Sequence, residues 1–173
     1  RQNELVDGVR NVLTNVVHEL DDALDGDAQH VERVLRGDEG LSRSDLQAEP
    51  EEWTEDVLID ELIRVVGLNI QPGRPNPRYE TPEWVSVEIP DFELEEHDEG
   101  GDNGDLWIIG ENKSVNKFED AQGDMQEYLG KMWWPDYGIA TDGITWGTYR
   151  IETSSGDSGN GDVAEYYRSF SEV

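Results

Sequence analysis

Of the chain's 173 residues, 41 are Asp or Glu and only 13 are Lys or Arg, a formal net charge of −28. A chain so charged folds only if its carboxylates stay in water, so its core must come from the few blocks where apolar residues recur with a period. Such blocks are present, and six Trp among them are more than a disordered chain of this charge carries. The length suits one domain of ordinary size, with room for a short helical appendage.

The cations are as biased as the anions. Only three are Lys, and Lys113, Lys117 and Lys131 all fall within one nineteen-residue stretch. Abundant carboxylates with scarce Lys are the pattern of a halophile-like proteome, whose proteins work in concentrated salt. At about 1 M salt the Debye length is roughly 3 Å, so distant carboxylates scarcely repel a polyanion. The net charge therefore does not exclude DNA as a partner. With no Cys, neither a disulfide framework nor a thiolate metal site can form. His18, His30 and His97 are scattered and suggest no zinc site, and Asp98–Asp105 lacks the spacing of a calcium loop. No apolar run reaches the length of a membrane span or a signal-peptide core, so no membrane partner is expected and a cytoplasmic location is the default. The first residue is Arg1 rather than Met, as in a fragment of a longer protein or a trimmed chain.

Leu5, Val9, Val12, Leu13, Val16, Val17, Leu20 and Leu24 recur at helical steps, predicting an amphipathic helix over about Asn3–Leu24. A short helix over Ala28–Leu35 follows, ended by Gly37, and the polar segment Gly37–Glu52 reads as a linker. Residues 1–47 are thus expected to be a helical extension and linker, and residues 48–173 the main domain. There, Thr54 is expected to cap a helix with Leu58, Ile59, Leu62, Val65 and Val66 on its buried face. Four Pro make 71–83 extended or looped. Strands are expected over Trp84–Leu94 and Asp105–Glu111, around an acidic loop at Glu95–Asn103. A helix over about Lys117–Met132 precedes strands at Tyr137–Thr141 and Thr145–Ile151, joined by the Asp142-Gly143 turn. Glu152–Asp162 reads as a mobile tail, with Tyr166, Tyr167 and Phe170 on a last short helix. From Trp53 the order reads helix, strand, strand, strand, helix, strand, strand: an α/β fold, a mixed sheet flanked by helices.

On a strand, residues two apart share a face, so Glu111 and Lys113 project together while Asn112 points away. If the preceding strand pairs back through the 95–103 loop, Asp91 comes beside Glu111. Two carboxylates at a strand end, with water completing the shell, suit a hard cation such as Mg²⁺, with Mn²⁺ as a substitute. Lys113 would then orient or deprotonate a water, or offset charge on a phosphorane-like transition state.

Pro90-Asp91 followed across a hairpin by Glu111-Asn112-Lys113 resembles the signature of the PD-(D/E)xK nuclease superfamily. More closely, residues 53–151 resemble the amino-terminal nuclease domain of type I restriction enzyme R subunits. The matching pieces are Thr54-Glu55-Asp56 opening an apolar helix, Arg74 and Arg78 before Ile89-Pro90-Asp91-Phe92, Leu106–Lys113, and Tyr137–Trp146. The resemblance implies a restriction-endonuclease-like fold and a Mg²⁺-dependent DNA endonuclease, part of a restriction-modification system, with Asp91, Glu111 and Lys113 catalytic and the first two holding the metal. It also implies support from Glu55, while Arg74, Arg78 and Lys117 are candidate DNA contacts. In the family the helix after Glu-x-Lys carries Gln, three residues, then Tyr; here Asp124 stands four before Tyr128, with Gln122 and Gln126 nearby as candidates for the Gln's part. No helicase or methyltransferase motif occurs in these residues, so such activities would belong to other restriction-modification subunits or domains.

Plainer readings stand beside these. An acid-rich chain makes such trios by chance, although one of only three Lys falling right after an apolar strand argues against it. A first-turn acid such as Glu55 commonly just stabilises the helix dipole. Gln122 and Gln126 suit solvent, Arg74 and Arg78 suit pairing with carboxylates, and Trp133-Trp134 suits the core. The alternative function is a non-catalytic nuclease-fold domain that binds DNA or protein, or an assembly module built on the amino-terminal helices. The salt reading gives a direct expectation: circular dichroism should show folded protein in molar KCl and progressive loss of structure as KCl is withdrawn. An unchanged spectrum at low salt would mark an ordinary acidic protein.

Overall fold

The computed structural model describes residues 2–68, 70–72, 89–96, 106–131, 135–152 and 162–169. The apolar stripe of the first block forms α1 (Gln2–Ala23), and α2 (Ala28–Leu35) opens where Asp27 accepts the N–H groups of Gln29 and His30, both at 3.1 Å. The expected linker instead holds two more helices. Ser42 and Asp45 close a capping box on α3 (Arg43–Leu46), and Pro50, at the first turn of α4 (Pro50–Thr54), starts a helix where its missing N–H costs nothing. These signals are local caps without apolar periodicity, which is why composition alone marks the stretch as a linker.

Thr54 is accordingly not a cap. It lies inside a continuous helical run, fully buried, and its hydroxyl donates to the Pro50 carbonyl at 2.8 Å. The run passes through a π-helical turn (Glu55–Ile59) into α5 (Asp60–Val65), and Gly67 ends it at φ +85°.

Among the described residues six strands make one sheet in chain order: β1 (Ile70–Pro72), β2 (Phe92–Glu96), β3 (Leu106–Asn112), β4 (Tyr137–Thr141), β5 (Thr145–Glu152) and β6 (Asp162–Ser169). Neighbours are antiparallel except β3 and β4, which run parallel because α6 (Phe118–Lys131) carries the chain back between them. The class is therefore α/β with a mixed sheet. The expected terminal helix at Tyr166 and Tyr167 is strand β6, paired along β5 from Thr145↔Ser169 to Glu152↔Asp162. Val163, Tyr166 and Tyr167 favour strands, and the open edge of β5 supplies the partner that decides between the two readings. Residues 84–88 of the expected long strand, the Trp133-Trp134 pair, Phe170 and most of the expected loop and tail lie outside the described residues.

The sheet is covered on both faces. Ile109, Ala140 and Tyr149 meet Ala121, Met125 and Leu129 of α6, while Ile59 and Ile63 meet Phe92 and Leu94 on the other face. A third cluster joins the amino-terminal helices to this body: Val16, Leu20 and Val34 pack with Leu58, Leu62 and Val115.

One contact fixes the strand pair that matters most. Phe92 faces Gly110 across β2 and β3, and a Cβ on Gly110 would fall 2.0 Å from the Phe92 ring. Gly110→Ala should therefore cost about 1–3 kcal/mol through displacement of a buried ring. Gly123→Ala is the control, since a Cβ there meets nothing within 4 Å. Denaturant midpoints in high KCl should fall for the first variant and hold or rise for the second.

Candidate functional site

The Phe92↔Gly110 pair continues one step to bring Asp91 opposite Glu111, on the face covered by α6. Asp91 sits at a bend just before β2, and two bonds hold it there. Its Oδ2 accepts the Asn112 backbone N–H at 2.8 Å, and the Tyr128 hydroxyl donates to the carbonyl of Ile89 at 3.4 Å. The two carboxylates feel each other: the charge of Asp91 helps to raise Glu111.

Glu111 is the most constrained group at the site. Its side chain is 4% exposed, and one oxygen contacts the Lys113 ammonium. The other, Oε2, is buried and has no hydrogen-bond partner among the described residues. Burial, first, pushes Glu111 up to about 7, against the pull of Lys113 and with a further push from Asp91 and Asp124. Tyr128 lies near enough to be raised in turn, by its own burial first and then by the charges of Glu111 and Asp91.

Lys113 points from the end of β3 into a ring of carboxylates. Besides Glu111 it lies 3.1 Å from Asp124 of α6 and 3.7 Å from Glu51 of α4. Burial lowers it, but the bonds to Glu111 and Asp124 outweigh that and raise it above the ordinary lysine value. It is a fixed cation. Its backbone N–H donates to Thr141 at 3.0 Å, and the next residues are pinned where Val115 N–H meets the buried Thr54 hydroxyl at 3.2 Å.

Glu55 reaches the site from the opposite side of β3. Asn112 alternates away from Glu111, as the strand requires, and its Nδ2 donates to Glu55 Oε2 at 3.3 Å. Burial raises Glu55, and Asp91 is among the charges that add to the rise. Asn112 thus bridges two carboxylates, its backbone to Asp91 and its side chain to Glu55. Lys117 is exposed just before α6. At about 100° per residue, Gln122 and Gln126 leave α6 on the flank away from Asp124, so Asp124 and Tyr128 are the residues α6 presents to Glu111. Arg74 and Arg78 lie outside the described residues.

Sequence reasoning missed Asn112, Glu51 and the pairing of Asp124 with Lys113. The first has a signal, since the middle residue of Glu-x-Lys must face the opposite side of its strand. The other two depend on how α4 and α6 cross the end of β3. Among the described residues no three His, Cys, Asp or Glu side chains form a metal-holding group. Asp91 and Glu111 make a pair on one face, and Glu55 stands across the strand. No family model, no curated protein and no solved structure matches the chain.

The raised Glu111 gives a pH dependence whose sign is opposite to that of an ordinary surface carboxylate. Its contribution to stability is complete below the unfolded value near 4.5 and is lost as pH rises through about 7. With chelator present, Glu111→Gln should therefore be more stable than the parent at pH 8, by an amount that shrinks on going to pH 5. Denaturant midpoints at both pH values in high KCl measure it; an advantage that grows toward pH 5 would reverse the assignment.

Proposed function

We propose that this chain is a Mg²⁺-dependent DNA endonuclease domain with a restriction-endonuclease-like core, acting within a restriction-modification system. The observation that carries the reading is the second oxygen of Glu111, buried and without a hydrogen-bond partner among the described residues, on a strand whose register brings Asp91 opposite. A buried carboxylate oxygen left unpaired is costly, and a hard divalent cation shared with Asp91 satisfies it. Two carboxylates are enough, because Mg²⁺ keeps several waters and is bound by one or two protein carboxylates rather than a full cage. The pair thus fits the ion, and Mn²⁺ fits in its place.

Asp91 and Glu111 would hold the cation, which when bound would supply positive charge to a phosphodiester oxygen and acidity to a water. The chain's own residues do the rest. Asn112 holds Asp91 toward Glu111 through its backbone and restrains Glu55 through its side chain. Lys113, kept charged by its carboxylates, is suited to offset the negative charge that builds on phosphorus, rather than to take a proton. Of the roles open to a lysine here, its surroundings favour the electrostatic one. The acidic surface is compatible with DNA where salt screens it, and Lys117 is an exposed cation close to the site.

Cleavage of plasmid DNA in molar KCl with Mg²⁺ or Mn²⁺ tests the proposal. Lys113→Ala should cut more slowly than the parent by about 10²–10³-fold, the usual effect of losing one transition-state stabiliser. Equal cleavage by both would refute it. No cleavage by the parent, together with no thermal stabilisation by Mn²⁺, would assign the domain a binding role instead.

A further inference from the structure

Among the described residues Lys113 is the cation that contacts Glu111, and its side chain is a flexible four-carbon stem whose free rotation costs about 2 kcal/mol to arrest. Glu111 alone is a poor anchor for it, because that carboxylate is also the group best placed to turn toward a cation. A second anchor comes from a different part of the chain. Asp124, on α6, places Oδ2 3.1 Å from the ammonium. Its side chain is 48% exposed while Lys113 is 20% exposed. An ion pair this open contributes little to stability, typically about 0–1 kcal/mol. It does, however, fix a direction: Glu111 holds the ammonium from the buried side and Asp124 from the rim.

An ammonium has three donors. Glu111 and Asp124 take two. For the third, the next carboxylate among the described residues is Glu51, which at 3.7 Å is close enough to attract but too far for a good hydrogen bond. We infer that Asp124 is a positioning residue for Lys113, holding the ammonium so that one N–H remains available to a phosphate oxygen. The kinetic half of this inference rests on the nuclease reading; the placement of Lys113 does not.

Two measurements separate them. In the first, Asp124→Asn and Asp124→Glu are compared with the parent for cleavage in molar KCl. Asp124→Asn should lower kcat by about 10- to 100-fold, the scale expected of a misplaced group, with KM little changed, and Asp124→Glu should recover part of the loss. In a Lys113→Ala background, Asp124→Asn should slow cleavage no further, because a residue that acts only through Lys113 has nothing left to position. An equal loss in both backgrounds, or no loss in either, would overturn the inference.

The second needs no activity. With only three lysines in the chain, ¹³Cε-lysine labelling gives three side-chain signals, assigned by single Lys→Arg variants. The order parameter of the Lys113 signal should fall in Asp124→Asn while that of Lys117 holds. An unchanged Lys113 signal in a folded Asp124→Asn protein would show that Asp124 does not hold it. If the order parameter falls but the parent cuts no DNA, the clamp stands and the nuclease reading fails.

Discussion

The register between β2 and β3 is the constraint on which the site depends. Phe92 lies on Gly110, and because side chains alternate along a strand, that single pairing sends Asp91 and Glu111 to the α6 face and Asn112 to the other. A shift of one residue would carry Glu111 to the face covered by α5 and turn Asn112 toward α6. The glycine admits the ring, the ring fixes the register, and the register brings two carboxylates together.

Much of this was legible in the sequence because it depends on short-range rules. Alternation placed Glu111 and Lys113 together. Helical periodicity found α1, α2 and α6 to within about two residues, the usual uncertainty of helix ends, and Asp142-Gly143 marked the turn that ends β4, with Gly143 at φ +82°. The misreadings have a common cause: the deciding partner is distant. Tyr166 and Tyr167 are compatible with a helix or a strand until β5 offers an edge. Thr54 looks like a cap because it precedes two acids, yet its hydroxyl is taken by Pro50 and Val115, the latter 61 residues away. Asp124 looked only like a departure from a motif, since nothing in sequence tells which way α6 is turned over β3.

Burial works against the charged form of both Glu111 and Lys113, and only at Lys113 do the neighbouring charges outweigh it. Removing Glu111 from water disfavours its charge, and Asp91 adds to the penalty; one lysine offsets part of it. Lys113 is burdened by burial as well, but carboxylates from β3, α4 and α6 surround it, and its charge is secured. A buried carboxylate that is uneasy without a counter-charge, beside a cation that cannot easily lose its own, is an arrangement with more charge to stabilise than the chain itself provides. That imbalance is the physical content of the proposed metal site. It would not arise from a surface trio assembled by chance, because exposed carboxylates relax into solvent.

The amino-terminal helices bear on the same few residues. Just beyond Lys113 the chain turns through Asn116, held in the left-handed region at φ +66°, a conformation Asn tolerates better than most residues. Its Nδ2 donates to the carbonyls of Val34 at 2.8 Å and Glu39 at 2.5 Å, at the end of α2 and in the turn beyond it. Its backbone also helps to satisfy Asp142, which is buried and already accepts the N–H groups of Ile144 and Thr145. Val115, between Asn116 and Lys113, packs into the cluster that α1 and α2 form with Leu58 and Leu62. The loop leaving the site is thus gripped by α2, by the helix carrying Glu51 and Glu55, and by the β4–β5 turn. The segment that reads in the sequence as an extension supplies, from α2 and the turn after it, two of the hydrogen bonds that hold this loop, so its docking and the placement of Lys113 are parts of one packing problem.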